Sequence, residues 1–242
     1  MENILAPSIL SADFKILGDQ ISQTEEGGAR YIHFDVMDGI FVPSISFGMP
    51  VLSSIKGLTS QVMDVHLMVT EPVRYVKEFA KCGADIITVH LEACKDPAAT
   101  LAAIHDCGVK AGISIKPGTP VEELEPYLDQ AEMFLIMSVE PGFGGQAFIP
   151  ESLERISRLR SMLEEHKLEK DIEVDGGIYH SNVAEVLKAG ANIIVSGSGV
   201  YKGNIRDNTT GFMEILKAYE QENCDRERRN AGRRFRAPNI EK

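Results

Sequence analysis

The sequence has little of what would carry a protein out of the cell or into a membrane. Its four cysteines, Cys82, Cys94, Cys107 and Cys224, show no C-x-x-C spacing, so free thiols in a reducing compartment are expected rather than a disulfide framework or a thiol-redox pair. No apolar run approaches the roughly 20 residues that a membrane-spanning helix needs. The opening MENILAPSIL has no basic stretch ahead of its short apolar run, and no signal peptide is expected. Positive charge is scarce: 25 Lys and Arg stand against 36 Asp and Glu, a formal net charge of −11. That balance argues against a general nucleic-acid binder. The absences together predict a cytoplasmic chain that engages neither membrane nor nucleic acid.

What is present is a rhythm. Of 242 residues, 43% are hydrophobic and 25% charged, ample for the core of one large domain. Runs rich in β-formers fall near residues 5–10, 31–37, 61–67, 85–90, 110–115, 133–138, 171–175 and 192–196. Amphipathic helical patterns lie between them, at 17–26, 73–82, 97–107, 150–166 and 181–189. Asp13 and Ser181 are placed to cap helix starts, and Gly83, Gly108 and Gly190 stand where helix ends belong. Strands alternating with helices imply βα units and a parallel sheet. The pattern predicts a single-domain (β/α)8 TIM barrel over residues 1–221. A doubly wound open sheet is the structural rival, but it places a phosphate loop after its first strand, and no G-x-G-x-x-G follows Leu10. Residues 222–242 carry Arg226, Arg228, Arg229, Arg233, Arg234, Arg236 and Lys242 with few apolar side chains. They are expected to form a disordered basic tail outside the barrel.

In such a barrel, function collects at the C-terminal ends of the strands. Strand side chains alternate faces, so His33 and Asp35 share one face of the second strand. Asp64, His66 and Met68 share one face of the third, and Glu173 and Asp175 one face of the seventh. His33, Asp35, His66 and Asp175 offer two nitrogens and two oxygens, a set that suits one divalent ion: zinc first, with iron, manganese or cobalt also accepted. Strands three and seven face each other across an eight-strand ring, so Asp175 approaches from the side opposite His66 and Asp35. Two carboxylates on different sides of one carbon are what inversion by proton transfer requires. The alternative for each residue taken singly is a satisfied polar side chain of the core.

Two glycine-rich constellations add to this. Gly176 and Gly177 follow strand seven, and Gly197, Ser198 and Gly199 follow strand eight, where barrels commonly bind phosphate. Residues 140–146, Glu-Pro-Gly-Phe-Gly-Gly-Gln, follow strand six and could form a lid that excludes water. Met37, Met68 and Met137 read as core filler, His90 as structural, and His105, His166 and His180 as surface residues.

The segments APSILSADF (6–14), HFDVMDGIFVP (33–43), DVHLMV (64–69), MSVEPGFGGQAFIP (137–150), EVDGGI (173–178) and GSGVY (197–201) resemble, in order and spacing, the ribulose-phosphate 3-epimerases. The resemblance implies a metal-dependent barrel that interconverts D-ribulose 5-phosphate and D-xylulose 5-phosphate. It implies that His33, Asp35, His66 and Asp175 bind the metal, that Asp35 accepts the proton from ribulose 5-phosphate, and that Asp175 donates one. It further implies that Ser8, His66, Gly142, Phe143, Gly144, Gly145, Asp175, Gly176, Gly177, Gly197 and Ser198 contact the substrate or its phosphate. Ser44, Ala147 and Gly199 depart from the family's usual Asn, Lys and Ala. Two rivals stay open: a 3-epimerase of another ketose phosphate such as allulose 6-phosphate, and a non-catalytic receptor for sugar phosphates. A homo-oligomer of undetermined order is expected.

Overall fold

The computed structural model describes residues 1–234, with side chains through Asp225. Eight strands form one parallel sheet in the order β1-β8-β7-β6-β5-β4-β3-β2. They are β1 (Ile4–Pro7), β2 (Tyr31–Met37), β3 (Val62–Met68), β4 (Ile86–His90), β5 (Lys110–Ile115), β6 (Met133–Met137), β7 (Asp171–Asp175) and β8 (Ile193–Ser196). A parallel bridge between Ser8 and His33 joins the end of β1 to β2 and turns the sheet into a ring. The open-sheet rival is thereby excluded. Among the described residues eight α-helices accompany the strands: α1 (Leu17–Glu26), α2 (Met49–Lys56), α3 (Val73–Lys81), α4 (Pro97–Asp106), α5 (Ser152–Glu165), α6 (Val183–Ala189), α7 (Ser198–Tyr201) and α8 (Ile205–Arg234). Between β5 and β6 the chain makes only a 3-10 turn, Val121–Tyr127, interrupted by Pro126. Proline has no N–H to continue a helix there.

The strands are buried on both faces because each face packs into a different core. Ile32, Phe34, Val65, Leu67, Ile87, Val89, Phe134 and Val174 point outward into the layer beneath the helices. The alternate set points into the lumen, which is apolar at its floor, where Ile4, Tyr31, Ile86, Met133 and Ile193 meet. Higher up, the same alternation delivers His33, Asp64, His66, Thr88, His90 and Glu173, all fully buried. Burying that many polar groups is costly unless they find partners. The upper lumen is therefore where a functional site is to be sought.

Two local readings need correction. The first strand stops at Pro7 and does not run to Leu10, because the Ser8 hydroxyl accepts from Leu10 N–H and folds Ile9–Ser11 into a 3-10 turn. Ser181 caps no helix. Asn182 precedes α6, accepts from Tyr179 N–H and donates to the Gly177 carbonyl at 2.9 Å. Asp13 caps a 3-10 turn, Phe14–Ile16, that leads into α1. The last helix docks on the barrel through Phe212 and Leu216, and Glu220 accepts from Asn3 N–H at 2.7 Å. Its backbone stays helical beyond residue 222, where the sequence pattern places the start of the tail, and residues 235–242 lie outside the described residues. Among the described residues no helix is long and apolar enough to cross a membrane.

Candidate active site

Strand β2 is the spine of the site. His33 lies deepest, and its Nδ1 is 2.6 Å from Asp64 Oδ2. Its Nε2 is fully buried and has no hydrogen-bond partner among the described residues. Burial disfavours a charge on this ring, but the carboxylates of Asp35, Asp64 and Glu173 outweigh it and raise its pKa well above the ordinary range. The Nε2 nitrogen is 3.3 Å from Asp35 Oδ1 and 3.9 Å from Asp175 Oδ2. From β3, His66 Nδ1 approaches the same two oxygens, at 3.3 Å and 4.0 Å. The ligating atoms of His33, Asp35, His66 and Asp175 all lie within 4.8 Å of one another. Ser8 Oγ donates to Asp35 Oδ2 at 2.5 Å, which holds the carboxylate plane from the β1 side.

The cluster crowds carboxyl groups and imidazoles into one buried space, and each shifts the others. Burial favours a neutral Asp35, but the imidazoles of His33 and His66 outweigh it and hold the carboxyl far below its ordinary range. Burial pushes Asp175 up to about 7, helped by the charge of Asp35. Glu173 is raised as well, by burial and by the charge of Asp64. Burial drives His66 down to about 4, so its ring is neutral at physiological pH. Two imidazole nitrogens and two carboxylate oxygens within 4.8 Å of one another fit one divalent ion, which would take the place of a proton on His33. The orphaned Nε2 of His33 is the observation that makes the fit specific, since a buried nitrogen without a partner is costly.

A cavity of about 540 Å³ including its open mouth lies over this cluster. Asp35, Asp175 and Ser8 form its floor, and Met37, Met68 and Met137 its lower wall. Those methionines thus line the site as well as filling the core. Its rim brings together Gly142, Phe143, Gly144 and Gly145 from the loop after β6, Gly176 and Gly177 after β7, and Gly197 and Ser198 after β8. Gly177 has φ +67°, and a Cβ there would sit 2.4 Å from Phe148 N, so only glycine lets the two loops meet. Ser198 Oγ is 2.8 Å from Tyr179 Oη. Residues 140–146 are tied together by Gln146 Nε2, which donates to the carbonyls of Glu140 and Phe143 at 2.6 and 2.9 Å. Phe143 is 58% exposed at the mouth.

The profile of the ribulose-phosphate 3 epimerase family matches residues 4–201 of this sequence. The chain belongs to that family. It is an enzyme, an isomerase of the epimerase class. A protein of Synechocystis sp. named ribulose-phosphate 3-epimerase is 52% identical over 200 residues, 82% of this chain and 87% of that one. The Bacillus subtilis protein of the same name is 49% identical over 199 residues, covering 81% and 91%. The Arabidopsis thaliana ribulose-5-phosphate-3-epimerase, chloroplastic, is 46% identical over 203 residues, covering 82% and 71%. Solved structures resemble the fold alone: KGPDC from Streptococcus mutans superposes with TM-score 0.66 at 13% identity over 90% of this chain and 99% of that one. Phosphoribosyl anthranilate isomerase from Thermus thermophilus gives 0.65 at 14%, over 89% and 98%.

Ser44, Ala147 and Gly199, which the resemblance sets apart, follow strands β2, β6 and β8. Gly199 has a local cause, because a Cβ there would be 2.5 Å from Ser196 Oγ, which donates to the Ile178 carbonyl. The main-chain carbonyl of Ser44 accepts from Gly39 N–H in the loop after β2, a bond that any residue there could make. Nothing in the structure explains Ala147. Sequence reasoning placed Asp64 beside His66 and Glu173 beside Asp175 without assigning them work. The structure sets both against His33, with Glu173 Oε1 3.5 Å from Nδ1. It also sets His90, read as structural, with Nε2 2.9 Å from His66 Nε2. His105 pairs with Glu132 and His166 with Glu125 on the surface. His180 Nε2 lies 2.9 Å from the Asn208 carbonyl, and its ring stacks on Phe212.

Proposed function

We propose that this enzyme interconverts D-ribulose 5-phosphate and D-xylulose 5-phosphate by inverting C3 with two carboxyl groups, Asp35 and Asp175, beneath a phosphate-binding rim. The observation that carries the reading is the arrival of these carboxyls from separate strands, β2 and β7, at one four-donor cluster on the cavity floor. Their surroundings push the two apart, Asp35 toward the base and Asp175 toward the acid. Pairs divided in this way are how one site performs both halves of a proton transfer.

His33, Asp35, His66 and Asp175 would hold one divalent ion, zinc by preference with iron, manganese or cobalt also fitting the donors. Such an ion would polarise the substrate carbonyl and acidify the C3 proton. Asp35, steadied by Ser8, takes the proton from C3 of ribulose 5-phosphate, and the electrons of the C–H bond pass into an enediolate. Asp175 returns a proton to the opposite face of C3, and in the reverse direction the roles exchange. Gly177, Gly197 and Ser198 hold the phosphate through backbone N–H groups, Gly176 and His66 flank the sugar, and residues 142–145 exclude water from above. The reading assigns the enzyme to pentose phosphate chemistry, acting as a homo-oligomer in the cytoplasm.

The test is isotope exchange. In D2O each substrate should acquire deuterium at C3 as it converts, followed by NMR. Asp35→Asn and Asp175→Asn should each abolish epimerisation while the wild type turns over. Full epimerase activity in either variant would overturn the two-base assignment.

A further inference from the structure

His66 is held from both sides, and the outer side has no part in the chemistry described above. Its Nδ1 faces Asp35 and Asp175, while its Nε2 lies 2.9 Å from Nε2 of His90. The two rings are stacked, with centroids 5.0 Å apart, and both are fully buried. His90 Nδ1 lies 3.3 Å from Glu92 Oε2. The other oxygen of Glu92 accepts from Lys116 N–H at 2.7 Å and from the Thr119 hydroxyl. Arg155 fixes the loop that supplies those donors, with its guanidinium on the carbonyls of Lys116 and Thr119 at 2.8 and 3.1 Å. Four groups thus run in single file from the cavity floor to the loop after β5.

Two imidazole nitrogens 2.9 Å apart require one proton between them, since two lone pairs repel and two N–H groups clash. Which ring carries it is decided at the far end. Glu92 Oε1 accepts from a backbone N–H and a hydroxyl, bonds that favour the ionised, acceptor-only carboxylate. Burial alone would raise its pKa, yet these hydrogen bonds and the one to His90 lower it to about 2. His90 must then donate from Nδ1, which leaves its Nε2 bare. His66 must donate from Nε2, which leaves its Nδ1 bare and pointing at Asp35 and Asp175.

We propose that Glu92, acting through His90, fixes His66 in the tautomer whose bare Nδ1 faces the Asp35–Asp175 cluster. Glu92 and His90 are positioning residues. They prepare one of the four donors before any cation arrives, and the proposal rests on the cation reading given above. Partners of this kind, one shell behind a metal-ligating imidazole, typically change metal affinity by about 10–100-fold when removed.

The test uses the full-length chain labelled with 15N and freed of metal by chelation. Long-range 1H–15N correlations should show His66 protonated on Nε2 and His90 on Nδ1. In Glu92→Ala the His66 signals should move toward a mixture of tautomers, and Co2+ affinity, followed by the visible absorption of the bound ion, should fall about tenfold. Thr119→Val, which removes one donor to Glu92 and touches neither histidine, should fall between wild type and Glu92→Ala. Wild-type His66 carrying its proton on Nδ1 would overturn the relay, as would Glu92→Ala with unchanged tautomer and unchanged Co2+ affinity. A wild type that binds no Co2+ overturns instead the cation reading on which the proposal stands.

Discussion

Replacing Gly177 by alanine separates backbone strain from steric displacement at the proposed phosphate rim. Gly177 sits at φ +67°, where an L-residue costs about 1–2 kcal/mol. The added Cβ would also lie 2.4 Å from Phe148 N and 2.8 Å from its Cα, which are main-chain atoms that cannot swing aside. To reach an ordinary contact of about 3.4 Å, the loops after β6 and β7 must part by about 1 Å, with an overpacking cost of about 1–3 kcal/mol. Together these destabilise the fold by roughly 2–5 kcal/mol, a fall in Tm on the order of 10 °C for a chain of this size. A 1 Å misplacement at a reacting centre costs up to about 100-fold in rate, so kcat/KM for ribulose 5-phosphate should fall about 10–100-fold. Gly203 supplies the control: it has φ +94° but open space around its would-be Cβ. Gly203→Ala should show the backbone cost alone, about 1–2 kcal/mol, with kcat/KM unchanged. Thermal melts and initial rates on both variants decide the matter. If Gly177→Ala matches Gly203→Ala in both, the close approach of the two loops contributes nothing and the reasoning fails.

Asp64→Ala should weaken Co2+ or Zn2+ binding about 10–100-fold, because His33 loses the acceptor that keeps its proton on Nδ1. Asp64→Asn, whose carbonyl can still accept, should lose less, and a natively folded Asp64→Ala that binds metal like wild type would contradict this. In the metal-free protein, Asp175 binds its proton more tightly when folded, with its pKa raised from 3.8 to about 7. Its contribution to stability is therefore greatest at acid pH and is lost as pH rises from about 4 to 7. Denaturant unfolding of the chelated protein should show that decline across the window, Asp175→Asn should lack it, and equal slopes in the two would contradict the assignment. Added divalent ion should abolish the decline, because a cation favours the charged carboxylate.

Much of the barrel was legible because its physics is local. Two-residue alternation put His33 with Asp35, and Asp64 with His66, on common faces of their strands, and glycines after the helices marked where the next strand begins. The gathering of His33, Asp35, His66 and Asp175 followed from topology, since a closed ring of parallel strands brings all their C-terminal ends to one rim. What stayed hidden depends on how neighbouring strands are staggered. Alternation cannot say that Glu173 on β7 lies level with His33 on β2. Nor can it say that the β3–β4 register, with His66 opposite Thr88, lifts His90 against the outer nitrogen of His66. The early end of β1 was hidden for another reason: Ser8 lies in a β-rich run, yet its hydroxyl turns the backbone.

The central claim is that Asp35 and Asp175 serve opposite faces of one carbon, and deuterium exchange in Asp175→Asn tests it most directly. The metal-loaded variant, incubated with ribulose 5-phosphate in D2O, should wash deuterium into C3 slowly through Asp35 and form no xylulose 5-phosphate. From xylulose 5-phosphate, whose proton Asp175 would remove, exchange should be absent. Exchange at equal rates from both substrates, or inversion without Asp175, would contradict the account.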